Sequence, residues 1–371
     1  MPPDVAAFTD TYLPTVNGAT YTIRTWRERW LDRGGRMDVV YPGSSHDPAV
    51  GEHPVGSLPF PFYEGFRLGA PTVPDAVRDA DIIHAHSPFG VGLAGFRLAR
   101  RTDRPLVASY HTPAAEYAGY LAEGWLMNGV ARAGNAYERW FLDRADRVIA
   151  PSDTAKAELE ARGVGPVSVV ANGVDIDRFA PTDPAAFRAR HDLPAAGERP
   201  LVGYTGRHGF EKRLSDLVRA VDGTDAVLLF GGDGPARRTL EAEAAERDVD
   251  VRFLGFLDRD ELPAFYSVLD VFGFPSPVET QGLVALEAMA CGTPVVGVEA
   301  GALAETIDGG ATGYHYDPGD IAGFRAALDR ALAERDRLAG TCLSRRESMG
   351  VERAVDALAA VYDAVLSTTS P

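Results

Sequence analysis

Lysine is nearly missing from this chain: of 37 basic residues only Lys156 and Lys212 are lysine, and the rest are arginine. Cysteine is as scarce, with Cys291 and Cys342 alone, which argues against a disulfide framework and for a reducing, cytoplasmic setting. No apolar run approaches the roughly 18 residues that a membrane helix needs. The start, MPPDVAAFTD, has no basic segment ahead of an apolar one, so no secretory signal is expected. A basic stripe is absent too, and the net charge of −16 disfavours nucleic acid as a partner. Acidity with so little lysine resembles the composition of proteins from salt-loving archaea, although a GC-rich genome gives the same skew. Finally, GxGxxG is absent after the first apolar run, which disfavours an ordinary dinucleotide-binding opening.

What is present is a globular composition, 45% hydrophobic over 371 residues. That length exceeds what one core usually organises, so two domains of about 170 to 180 residues are expected. Short β-branched runs alternate with helical patterns, the mark of parallel βαβ units. Strands are expected at Val5–Thr9, Met37–Tyr41, Ile82–His86, Leu106–His111, Arg147–Ala150 and Val167–Ala171. A second series follows at Leu201–Thr205, Ala226–Gly231, Val251–Leu254, Val271–Phe274 and Pro294–Val298. Between them NGVDIDRFAPTDPAAF reads as a linker. The expected division is 1–177, 178–350 and a C-terminal helical segment, 351–371, that packs back on the first domain. Two doubly wound sheets would face each other across a cleft, with ligands beyond their strand carboxyl ends.

The segment ETQGLVALEAMACG carries the most chemistry. A helix is expected from about Gln281 to Met289, with Glu279 before it and Glu287 in its third turn. Its first amides, Gly282 and Leu283 among them, form an anion site at the positive end of the helix dipole. The plainer reading is a strand-to-helix junction with Glu287 merely exposed, but ALEAMA is small and apolar, so a carboxylate there needs a partner or a cleft. In GRHGFEKR, Arg207, Lys212 and Arg213 gather in a glycine-containing loop, which suits a phosphate; a solvated loop with an Arg–Glu pair is the alternative. The turn Gly231–Pro235 suits either close backbone approach or a tight turn. After the first strand, Asn17 and Gly18 precede a helix expected near Ala19. His84, His86 and His111 imitate a three-histidine metal site, but no acidic ligand sits at a convincing spacing, so no metal is expected. His111, alone at a strand end, is the better candidate for contact with a reacting group. The several Asp-x-Asp pairs carry no weight in so acidic a chain.

FTDTYLPTVNG, HSPFGVGLAG, SYHTP, NGVD, GRHGFEKR, GGDGP and the Glu279–Glu287 pair together resemble the family-4 retaining glycosyltransferases of the GT-B fold, over nearly the whole chain. PFPFYEGFRLGAP and VASYHT look like the lipid-glycosylating subgroup, which includes sulfoquinovosyl-, mannosyl- and glucosyl-diacylglycerol synthases. The resemblance implies two Rossmann-like domains, an N-terminal one for the acceptor and a C-terminal one for a UDP- or GDP-sugar donor. It implies hexosyl transfer with retention and no metal or other cofactor. Arg207 and Lys212 would hold the diphosphate with the amides of Gly282 and Leu283. Glu287 would hold the ribose, Glu279 the donor sugar, with His111 beside that sugar and Gly18 allowing the first loop to approach. Many relatives carry two glycines where this chain has Asn17–Gly18.

The acceptor would be a membrane glycolipid or lipid-linked saccharide, with a soluble acceptor, or an epimerase or hydrolase of the same fold, as the alternatives. Tyr117, Tyr120, Leu121, Trp125, Leu126 and Met127, beside Arg132, Arg139 and Arg144, suit a peripheral patch on the inner membrane face; ordinary packing of the same helix is the other reading.

Overall fold

The computed structural model describes residues 2–60, 66–111 and 125–369, without the side chains of 125–128, 131 and 369. The chain divides into two compact units: Met1–Asn172 with Val351–Pro371, and Gly173–Gly350. This division falls a few residues ahead of 177/178.

In the first unit the strands are β1 (Asp4–Phe8), β2 (Arg36–Pro42), β3 (Glu52–Val55), a short antiparallel pair β4 (Ser57–Pro59) and β5 (Arg67–Gly69), then β6 (Ile82–Ala85), β7 (Leu106–Ser109), β8 (Arg147–Ala150) and β9 (Val167–Val169). Among the described residues the main sheet has the order β3-β2-β1-β6-β7-β8-β9, and its strand pairs are parallel. The strands are buried on both faces, so their side chains split by the period of two. Ala6, Phe8, Val40, Ile83, Ala85, Ala108 and Val148 pack with Val91, Ala94 and Leu98 of the helix Gly90–Thr102. Val5, Ala7, Val39, Ile82, Val107 and Ile149 pack on the opposite face with Ile23, Trp26 and Trp30 of the helix Gly18–Asp32. The C-terminal helix Val351–Thr369 joins that second layer through Val355, Leu358 and Tyr362. Arg33 adds 2.7 Å contacts to Glu352 and Asp356; such exposed pairs contribute little beside the apolar contact.

The second unit has β10 (Leu201–Thr205), β11 (Val227–Gly231), β12 (Val251–Gly255), β13 (Val271–Phe274), β14 (Val295–Val298) and β15 (Gly313–Tyr316). Their order is β12-β11-β10-β13-β14-β15, all parallel. In both sheets the chain winds outward from one strand, then crosses it and winds the other way. That reversal, at β1/β6 and at β10/β13, is the switch point where doubly wound sheets open a ligand crevice.

The structure departs from the sequence reading in two respects. β3, β4, β5 and β15 were not expected, because EHPV, SLP, RLG and GYHY are short and broken by proline or glycine. The stretch read as a linker is largely structural: Val174, Phe179 and Phe187 are buried in the second unit's core. Val174 donates its N–H to the Met349 carbonyl at 2.9 Å, which ties both ends of that unit together. The polar and proline residues that suggested a linker hid three buried apolar side chains at wide spacing.

Candidate functional site

The second unit builds its candidate site on the loops that leave β10 and β13, at the switch point. After β10, GRHGFEKR forms a one-turn helix Phe210–Lys212, and the helix Leu214–Val221 follows. After β13 comes the segment carrying Glu279 and the helix Leu283–Ala290. Lys212 joins the two loops: its Nζ donates to Glu279 Oε1 at 2.7 Å, with 17% and 16% of the side chains exposed. Arg207, by contrast, pairs within its own loop with Glu211. The Arg–Glu pair of the plainer reading is therefore present, and Lys212 reaches across to the second loop. Arg213 turns to Asp216 at 2.9 Å.

The helix begins later and is shorter than expected, and Glu287 lies in its second turn, not its third. Gly282 caps it at φ 79°, a left-handed backbone that side chains rarely adopt. A Cβ there would also meet Leu303 Cδ2 at 2.7 Å and Phe274 Cε1 at 3.2 Å. Residues 302 and 306 anchor the loop, Ala302 N donating to the Glu279 carbonyl at 3.2 Å and Thr306 Oγ1 to the Gln281 carbonyl at 2.7 Å.

Glu287 is buried, 2% exposed, not a surface residue. Tyr266 Oη donates to its Oε2 at 2.9 Å, and Arg259 Nη1 lies 3.4 Å from its Oε1. Arg259 in turn lies over the Phe179 ring at 5.0 Å. Burial pushes the Glu287 carboxyl up from its ordinary range, and Arg259 and Tyr266 oppose that shift. Neither partner was singled out from sequence. They lie far from Glu287 along the chain, and only the demand that a buried carboxylate be paired pointed to them.

The glycines after β11 have an internal reason. A Cβ at Gly232 would meet the Gly206 carbonyl oxygen at 2.0 Å. The two loops therefore touch backbone to backbone, and His208 N donates to the Asp233 carbonyl at 2.8 Å.

The first unit presents its own loops after β1, β6 and β7. Asn17 caps the helix Gly18–Asp32, accepting from Thr20 N at 2.9 Å. Gly18 is exposed, and a Cβ added to it would meet nothing within 4 Å. Nothing among the described residues of this unit requires a glycine there. Asp10, missed from sequence, is buried and joins two motifs. Its carboxylate accepts from Ser87 Oγ at 2.7 Å, Val91 N at 2.8 Å and Gly92 N at 3.2 Å, capping the helix Gly90–Thr102.

The three histidines lie together. His84 places Nδ1 2.7 Å from Tyr362 Oη and Nε2 2.8 Å from Ser109 Oγ. His86 Nδ1 lies 3.0 Å from His111 Nε2. Burial lowers all three below the ordinary imidazole range, His84 to about 3 and His111 to about 4, so they are neutral near pH 7. With both nitrogens of His84 engaged by hydroxyls, the set is a hydrogen-bonded array, and no metal-binding cluster occurs among the described residues.

Residues 16–178 match the family described as Glycosyltransferase Family 4, and residues 187–349 match Glycosyl transferases group 1. A GDP-mannose-dependent alpha-mannosyltransferase of Mycolicibacterium smegmatis is 32% identical across 99% of this chain and 98% of its own. The chain belongs to the family-4 glycosyltransferases. Another relative of this glycosyltransferase is the sulfoquinovosyl transferase of Arabidopsis thaliana, 32% identical over 76% of this chain and 56% of that one. The alpha-monoglucosyldiacylglycerol synthase of Streptococcus pneumoniae is 28% identical over 79% and 70%. Sucrose-phosphate synthase from Thermosynechococcus elongatus shares the fold, with TM-score 0.80, 22% identity, and coverage of 98% of this chain and 100% of that one. The two parallel α/β units of this glycosyltransferase are thus those of the GT-B fold.

The apolar stretch considered for a membrane patch is mostly out of view. Tyr117, Tyr120 and Leu121 lie outside the described residues, as do the side chains of Trp125, Leu126 and Met127. Residues 61–65 of PFPFYEGFRLGAP are outside them too. Further along the same helix, Trp140 is 39% exposed with the Arg144 guanidinium 4.7 Å over its ring. No helix among the described residues is long and apolar enough to cross a membrane.

Proposed function

We propose that this glycosyltransferase moves a hexose from a UDP- or GDP-sugar to an acceptor hydroxyl, with retention at the anomeric carbon and without a metal cofactor. The observation that carries the reading is the Lys212–Glu279 pair, which joins the cationic loop after β10 to the carboxylate before the helix Leu283–Ala290. Departure of a nucleoside diphosphate builds negative charge. Arg207, Lys212 and the amides of Gly282 and Leu283 supply preorganised positive charge of the kind that stabilises such a leaving group. Glu279 holds the donor sugar, with Lys212 keeping it in place until the diphosphate arrives. Glu287 takes the ribose hydroxyls, its aim set by Tyr266 and Arg259. The second unit is then the donor unit, and the first takes the acceptor. His111 lies by the sugar, and the open space at Gly18 suits close approach of a ligand.

The acceptor is a membrane glycolipid or a lipid-linked saccharide, met at the inner face of the cytoplasmic membrane by a peripheral enzyme. The name of the Streptococcus relative, a monoglucosyldiacylglycerol synthase, supports this. A soluble acceptor is the second reading, favoured by 34% identity over 77% of this chain to a 2-deoxystreptamine glucosyltransferase of Streptomyces kanamyceticus. The deciding assay offers UDP- and GDP-sugars with a lipid extract or with soluble glycosyl acceptors, with and without a chelator. Products are read by mass spectrometry and their anomeric configuration by NMR. Glycolipid product formed in chelator with the donor's configuration supports the proposal. Product from soluble acceptors alone sinks the lipid clause, and donor conversion independent of any acceptor points to a hydrolase or epimerase.

A further inference from the structure

The contact between His86 and His111 raises a question of proton count. Nδ1 of His86 and Nε2 of His111 are 3.0 Å apart, and a neutral imidazole carries one N–H and one lone pair. One ring must donate and the other accept. The remaining nitrogen of His86, Nε2, is buried and has no hydrogen-bond partner among the described residues. If His111 were the donor, His86 would carry its proton on that buried Nε2, leaving an N–H with no acceptor. If His86 donates from Nδ1, the buried Nε2 holds only a lone pair. Orphaned buried N–H groups are rare and costly, so the second arrangement wins. His84 offers no escape, because its own nitrogens are engaged by Tyr362 and Ser109. Its ring lies 4.0 Å from that of His86, centroid to centroid, and neither ring gains from charging in so buried a place.

We infer that His86 is a positioning residue that fixes His111 as the Nδ1–H tautomer, making Nδ1 of His111 a hydrogen-bond donor rather than a base. His111 Nε2 is spent on His86, so proton abstraction by that nitrogen is closed. The consequence for transfer rests on the proposed place of His111 beside the donor sugar; the tautomer itself does not.

The test is a long-range proton–nitrogen NMR correlation on full-length, histidine-labelled protein near pH 7, with signals assigned through His86→Asn and His111→Gln. The expected result for His111 is a protonated Nδ1 and a bare Nε2, and a protonated Nε2 overturns the inference outright. His86→Phe keeps an aromatic ring beside His84 but removes the donor. His111 should then sample both tautomers, and kcat should fall about ten- to a hundredfold with KM nearly unchanged. His86→Asn, whose amide nitrogen takes the Nδ1 place, should restore the single tautomer and most of kcat. An unchanged His111 tautomer in His86→Phe overturns the inference even if activity falls. Normal transfer by His111→Ala would instead remove His111 from the donor sugar, with the spectra still deciding the tautomer.

Discussion

Lys212→Met separates what the Lys212–Glu279 pair does for the fold from what it does for transfer. The ammonium donates at 2.7 Å, with 17% and 16% of the two side chains exposed, so water screens part of the attraction but not most of it. A hydrogen bond to a charged group contributes about 1.5–3 kcal/mol, and a fully exposed pair about 0–1 kcal/mol. An intermediate loss of about 1–2 kcal/mol is expected, which in a domain of this size lowers the melting midpoint by about 2–8 °C. Transfer should drop far more, by about two or more orders of magnitude, because the cation acts where diphosphate charge develops. Glu279→Gln added to Lys212→Met removes the orphaned carboxylate, so the double variant should melt above the single one. It should transfer no better. Thermal melts alongside mass-spectrometric product formation read both quantities on the same samples. Near-normal transfer by Lys212→Met, or recovery of transfer in the double variant, refutes the reasoning.

Gly282→Ala should destabilise the second unit by about 1–3 kcal/mol, since φ is 79° and a Cβ would press on Leu303 at 2.7 Å; urea midpoints check it. Gly18→Ala has open space, so stability should hold or rise by up to about 1 kcal/mol. If the first loop approaches the donor, transfer by that variant falls while its melt does not. Burial raises the folded-state pKa of Glu287 above its unfolded value. Its contribution to stability is therefore present below the ordinary carboxylate range and lost as pH rises through the folded pKa. Glu287→Gln, a mimic of the protonated form, should gain on the wild type as pH rises above the ordinary carboxylate range, and a constant difference would contradict that. Tyr362→Phe removes the hydroxyl bonded to His84 Nδ1 and should destabilise the first unit by about 1–3 kcal/mol, read by chemical denaturation.

Much of the candidate site was legible because its chemistry sits in loops next to strong strand signals. Arg207, Lys212, Glu279, Gly282 and Glu287 could be named from residue type and local spacing, and the alternation of strand and helix placed them after β10 and β13. What spacing could not show was partnership. That Lys212 reaches Glu279 depends on two strands adjacent in the sheet and far apart in the chain. The same holds for Asp10 with Ser87, and for Arg259 and Tyr266 with Glu287. Buried polar groups must find partners, but a one-dimensional pattern does not say where.

By itself, then, the sequence determined the fold class, the parallel βαβ organisation, the family and the cationic and acidic loops. Each is a local property, written in periodicity of two or 3.6 residues and in short motifs. Only the tertiary structure decided that the apparent linker is core, and that the last helix, expected on the first domain, holds His84 through Tyr362. It alone gathered three histidines into a hydrogen-bonded array. Those outcomes follow from which distant surfaces bury each other, and burial is what turns a charge or a lone pair into a constraint.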